Sequence, residues 1–210
     1  MARSLKDSYR MQLFAALAAN LALYYALVKG LSFSEFKMET ATAHLSALLP
    51  GGLAVALCGI LNSQLTYLQK ARIVFLRWRD PLPGCRAFSH YVAKDPRIDM
   101  KAVRAKWSPL PKGAQQQNAL WYRIYQQEQG TEAVNHLNRH WLFARDYASI
   151  CVLLLIALGA LGIYQMPSAL SWFVFVGIVL TQFFFARRSA VNHAERFILT
   201  VIAQAAAKPN

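Results

Sequence analysis

Between Tyr147 and Ala186 the sequence has no Asp, Glu, Lys or Arg, a run of forty residues without a formal charge. A helix of that length runs about 60 Å, twice the roughly 30 Å hydrocarbon thickness of a bilayer. Acidic residues are scarce throughout: 10 Asp and Glu stand against 23 Lys and Arg, a formal net charge of +13. A soluble domain that is 56% hydrophobic would be hard to keep dispersed, whereas a membrane protein separates apolar and basic residues by position. With 210 residues there is too little chain to bury such a run inside a soluble core. Cysteine is also sparse. Cys58, Cys85 and Cys151 make an odd count without metal-like or redox spacing, which excludes a disulfide framework or a zinc ribbon and leaves small apolar packing residues.

Within the uncharged run the only turn-like segment is Gln165-Met166-Pro167-Ser168, so the run reads as a hairpin of two spans, about 148–164 and 169–186. A first span is expected at about 11–28. It is rich in alanine, suited to close helix packing, and has Tyr24 and Tyr25 at interfacial depth. Ala16-Leu17-Ala18 resembles a cleavage signal, but the apolar run continues past it, which favours a retained span. Residues 40–69 again lack formal charge and are interrupted by Pro50-Gly51-Gly52, placing another span at about 48–65, with its helix expected to continue as Tyr67–Trp78. The expected fold class is therefore an all-α integral membrane protein of four transmembrane helices. A helical, basic cytoplasmic domain is inserted between spans 2 and 3, giving segments 1–65, 66–146 and 147–210. Residues 64–147 hold fourteen Lys and Arg against six Asp and Glu, while residues 29–39 balance and the 165–168 turn is uncharged. The positive-inside bias then places both termini and the central segment on the cytoplasmic side of the inner membrane.

In the central segment Asp99–Trp107 and Ala114–Gln127 read as helices, and Thr131 is placed to cap the next one. Val134, Leu137, Trp141, Ala144 and Ala148 form one apolar stripe running into span 3, so a continuous helix is expected over about 131–164. Phe197, Ile198, Val201 and Ile202 extend the last helix to about Ala206.

The densest basic and aromatic cluster gives the candidate ligand site: Arg79, Arg86, His90, Lys94, Arg97 and Arg104, with Trp121, Tyr122 and Arg123 as a second group. Guanidinium groups interleaved with rings suit an anionic, base-bearing ligand such as a nucleotide or oligonucleotide signal. The plainer reading is attraction to anionic headgroups of the bilayer. In the spans, Asn20, Asn62, Gln182, Phe183 and Phe184 are the candidates for a pore lining or gate. Inter-helix hydrogen bonding and an interfacial aromatic belt are the alternatives.

His136 and His140 have a chelating spacing but lack an HExxH-type glutamate, so with Glu128, Glu132 and Asp146 they read as a solvated helix face. Arg188 and His193 match a loose ribonuclease spacing but would not share a helix face. Nothing calls for a metal or cofactor, and the scattered acids Asp80, Asp95, Asp99 and Asp146 do not suggest an enzyme.

In architecture, with four spans, a basic cytoplasmic middle and long protruding helices, the chain resembles the small four-span membrane effectors of bacterial anti-phage defence systems. That resemblance implies membrane damage triggered by a partner protein or a nucleotide. Four spans without buried charge suit a subunit of a symmetric oligomer that encloses a pore, so an oligomeric channel or membrane-permeabilising effector is the leading expectation. The alternatives are a membrane anchor that recruits a soluble partner protein, and a membrane enzyme acting on a lipid phosphate.

Overall fold

A computed structural model of the chain describes residues 7–30, 59–96 and 98–208, and among them there are helices and turns but no strand. Residues 48–58 of the expected second span, with Pro50-Gly51-Gly52, lie outside the described residues, as does Arg97. Three described helices are long and apolar enough to cross a membrane: Tyr9–Val28, Glu132–Gln165 and Ala169–Ala207. The chain divides into two compact units, Met1–Thr66 with Arg145–Ala186, and Tyr67–Ala144 with Arg187–Asn210.

In the first unit, helix α1 (Asp7–Val28) buries Tyr9, Leu13, Leu17, Asn20, Tyr24 and Leu27. Their steps of three and four trace one face of a 3.6-residue helix. Alanine and leucine surround the helix, so packing rather than polarity selects that face. Two long helices are shared between the units: α5 (Glu132–Gln165) and α6 (Ala169–Ala207). They are joined where Pro167 interrupts the backbone and the Ser168 hydroxyl accepts the Ser171 N–H at 3.1 Å, capping α6. The edge of Tyr24 meets Phe175, with ring centroids 5.2 Å apart, and its hydroxyl donates to Gln165 Oε1 at 2.9 Å.

Residues 59–63 are helical, but the helix does not continue into Tyr67 as the sequence had suggested. The Ser63 hydroxyl and the Gln64 amide both bond to Ile60 O, at 2.8 and 3.1 Å. Side chains that compete for a helical carbonyl favour a break at that point. A separate helix, α2 (Tyr67–Phe75), follows. It ends before Trp78 because Leu76 turns to φ 51, a left-handed termination made without glycine.

In the second unit a run of 3₁₀ and π turns covers Pro83–Arg86, Ala87–Tyr91 and Val92–Lys94. Helices α3 (Met100–Trp107) and α4 (Ala114–Glu128) follow. Asp99 caps α3 by accepting the Lys101 N–H at 2.7 Å. Thr131 does not place its hydroxyl on α5. That hydroxyl lies 3.0 Å from Glu128 O and 2.9 Å from Gln204 Oε1, so it closes the end of α4 instead. The core is aromatic at its centre: Trp121 stacks on Tyr125 at 5.6 Å, and Phe197 meets both rings edge-on at 5.3 Å. From α6 the buried set in this unit is Ala190, Ala194, Phe197, Ile198, Leu199, Val201, Ile202 and Ala205, most of it one stripe at helical spacing.

Candidate functional site

Two polar constructions stand out, one in each unit. In the first, Asp146 is 1% exposed and gathers four donors. Arg145 Nε and Nη2 reach Oδ1 at 2.9 and 2.8 Å. The Tyr9 hydroxyl and the Asn62 amide reach Oδ2 at 3.2 and 3.0 Å. Adjacent residues on a helix project about 100° apart, so Arg145 curls round the axis to form its pair. It remains mostly buried, with 13% of its side chain exposed. A buried ion pair of this kind holds only if the remaining lone pairs are satisfied, and Tyr9 and Asn62 do this.

The solvated face expected for Glu128, Glu132, His136, His140 and Asp146 is therefore corrected in two places. Asp146 and Glu128 are buried, at 1% and 2% exposure. At Asp146 the reason is local: Asp146, Ala148, Ser149, Ile150 and Cys151 are all buried, so α5 is covered on nearly all sides where the uncharged run begins. The available signal was that Asp146 is the last charge before that run. Nothing marked Tyr9 as its partner.

One residue further on, the Tyr147 hydroxyl donates to Gln182 Oε1 at 2.6 Å. The Asn20 side chain donates to Ala16 O on its own helix at 2.8 Å, and its buried Oδ1 has no partner among the described residues. Thus Asn62 and Gln182 are drawn into bonds between helices of the first unit, the usual work of amides between membrane helices, while Asn20 bonds within its own helix. Phe183 is half-buried against Phe184, with centroids 5.5 Å apart, while Phe184 itself is 60% exposed.

The second construction is the basic surface of the other unit. Arg86, His90 and Lys94 recur at four-residue steps along the 83–94 turns, with Arg86 half-buried and the other two exposed. What fixes these turns is Gln117 on α4, itself buried. Its Oε1 accepts Phe88 N–H, Ser89 N–H and the Ser89 hydroxyl at 3.2, 3.0 and 3.1 Å, and its Nε2 donates to Lys112 O at 3.2 Å. Gly84 gives α4 room, since a Cβ there would meet the Asn118 amide and come within 3.1 Å of the Trp121 ring. Within the run Gln115-Gln116-Gln117 no sequence signal distinguishes the third glutamine.

Positive charge is concentrated here. Burial lowers the Arg86 pKa, and the neighbouring charge on Arg77 lowers it further. The His90 pKa is lowered by desolvation, then by Lys94 and Arg86. Each cation disfavours the others, so an anion arriving among them gains from all. Of the remaining candidates, Arg79, Arg104, Tyr122 and Arg123 are exposed. Trp121 is 8% exposed and its ring faces belong to the aromatic core, which removes it as a platform for a stacked base.

His136 and His140 place their Nε2 atoms 3.1 Å apart, and His193 stacks on His140 at 5.3 Å. No group of three or more His, Cys, Asp or Glu side chains among the described residues is arranged to hold a metal ion. No family model matches the chain, and no curated protein and no solved structure matches it either.

Proposed function

We propose that the chain is a membrane-embedded protein that assembles from several copies into a channel or membrane-permeabilising element, gated by an anionic ligand or an acidic partner at its basic unit. The observation that carries the reading is α6. This helix supplies buried residues to both units, yet only 17% of its most apolar window is buried within the chain, against 39% for Glu132–Gln165 and 33% for Tyr9–Val28. So bare an apolar helix needs lipid or further copies of the chain around it. Because α5 and α6 are continuous through both units, a rearrangement at the basic surface has a covalent route into the spans. The basic side is read as cytoplasmic, with both termini there, and Arg86, His90 and Lys94 as the anion contacts.

A second reading, a membrane anchor that recruits a soluble partner, is favoured by the engagement of Asn62 and Gln182 in hydrogen bonds inside the protomer. Planar-bilayer recording separates the two. Conductance of purified protein that changes on adding a polyanion such as oligonucleotide or polyphosphate, and loses that response in Arg86→Glu/Lys94→Glu, supports the channel. Silence under every condition, together with stable capture of a soluble partner, supports the anchor.

A further inference from the structure

At the hairpin turn the surface folds inward around a crevice of about 410 Å³, lined mainly by Gly162, Ile163, Met166, Pro167, Trp172 and Phe173. That volume falls within the roughly 300–1,000 Å³ of small-molecule sites. Two features hold it open. Trp172 Nε1 donates across the hairpin to Gly159 O at 2.7 Å, which fixes the indole as a wall. Gly162 keeps the floor clear, since a Cβ there would come within 3.2 Å of Trp172 Cδ1 and 3.4 Å of Met166 Cε.

The lining carries no charge, and its polar side chains are already engaged. The indole N–H belongs to Gly159, and the Ser168 hydroxyl is held by Ser171 through its N–H at 3.1 Å and its hydroxyl at 3.0 Å. A polar ligand would be desolvated there without compensation. A hydrocarbon chain gains dispersion contact with the indole, thioether and phenyl groups. The flanking residues are apolar or aromatic and open: Ile163 is 63% exposed, Tyr164 88%, Leu170 73% and Phe173 63%. All lie in the uncharged run, at the turn-side ends of the two helices read as membrane-embedded.

We propose that this crevice binds one acyl chain of a membrane lipid, an inference that rests on the membrane reading of α5 and α6. The test uses the whole protein in liposomes containing a phospholipid with a photoactivatable diazirine on its acyl chain, with labelled positions mapped by mass spectrometry. Residues 162–173 are expected to take up severalfold more label than 180–185, where Phe184 and Phe185 are 60% and 74% exposed but are not among the residues that line the crevice. Excess unlabelled phospholipid should compete at 162–173 and leave 180–185 proportionally less affected, a readout that needs only the wild-type chain. Gly162→Leu fills the crevice and should bring labelling at 162–173 down to the level of 180–185. Equal labelling of the two stretches in the wild type, or labelling unchanged by Gly162→Leu, overturns the crevice and leaves the membrane reading intact. Absence of label from both stretches overturns the membrane reading and the crevice together.

Discussion

Lys208→Met should destabilise the second unit through a single buried carboxylate. Glu128 is the last residue of α4, and its side chain is 2% exposed. Lys208 Nζ donates to both carboxylate oxygens, at 2.7 and 2.8 Å. Lys106 binds the other side of the same tail, donating to Ala205 O at 2.7 Å and to Lys208 O, so two lysines tie the end of α6 to α3 and α4. A carboxylate at a helix C-terminus also opposes the helix dipole, which makes its counter-ion more important. Breaking a fully buried pair costs about 3–5 kcal/mol. Lys208 is 57% exposed, so water and salt share its charge, and the discounted cost is roughly 1–2 kcal/mol. In a chain of this size that is a fall of about 2–8 °C in Tm.

Glu128→Gln removes the buried charge instead of stranding it, and should cost less than about 1 kcal/mol. The double variant Glu128→Gln/Lys208→Met should then be more stable than Lys208→Met alone, a non-additivity that identifies the pair. Thermal unfolding in detergent at low and high salt measures all four proteins, and the deficit of Lys208→Met should shrink as salt rises. A Lys208→Met Tm indistinguishable from wild type, or a double variant that loses the sum of the two singles, refutes the reasoning.

Three further outcomes follow from the same physics. Asp146→Leu removes the carboxylate to which Arg145, Tyr9 and Asn62 all donate, and should cost about 3–5 kcal/mol, with Arg145→Met/Asp146→Leu recovering part of it in the same thermal assay. Gln117→Leu withdraws the acceptor of two backbone N–H groups and a hydroxyl, at about 2–4 kcal/mol in total. It should also weaken polyanion binding, measured by fluorescence anisotropy, because the turns bearing Arg86, His90 and Lys94 lose their support. Leu76→Gly relieves a left-handed residue whose side chain is 65% exposed, and should raise stability by up to about 1 kcal/mol. A lower Tm for Leu76→Gly would show that the leucine side chain makes a contact worth more than the backbone strain.

The long helices were the legible part, because periodic apolar residues report their own packing. The stripe from Val134 to Ala148 and the set Phe197, Ile198, Val201 and Ile202 lie on single helices α5 and α6. Buried polar residues leave no such trace. Gln117 looks like Gln115 and Gln116, and its role depends on turns almost thirty residues away. Glu128 sits in a glutamine-rich stretch whose composition suits a wet surface, and Asp146 borders the uncharged run. Partners distant in sequence, Lys208 for the first and Tyr9 and Asn62 for the second, help make their burial tolerable. The helix break at 64–66 was hidden for a different reason: side-chain bonds to Ile60 O override a pattern that alone permits continuation.

Hydrogen bonding bears on the membrane reading independently of hydropathy. In hydrocarbon a polar side chain has no water and must find its partner in the protein. Along the uncharged run several polar side chains do so, although the exposed Tyr164 finds no partner among the described residues. Ser149 bonds to Arg145 O at 2.9 Å, Tyr147 to Gln182 at 2.6 Å, Trp172 to Gly159 O at 2.7 Å, and Gln165 receives Tyr24 at 2.9 Å. The exposed Thr181 hydroxyl likewise turns back to Gly177 O at 2.8 Å. In the second unit basic side chains, Arg79, His90, Lys94, Arg104 and Arg123 among them, are exposed beside neutral amides such as Gln115 and Gln126. The change between the two patterns falls where the charges stop, at Asp146, and where they resume, at Arg187. The compact units part at nearly the same positions, Ala144 to Arg145 and Ala186 to Arg187. The packing boundary and the charge boundary thus divide α5 and α6 at nearly the same places.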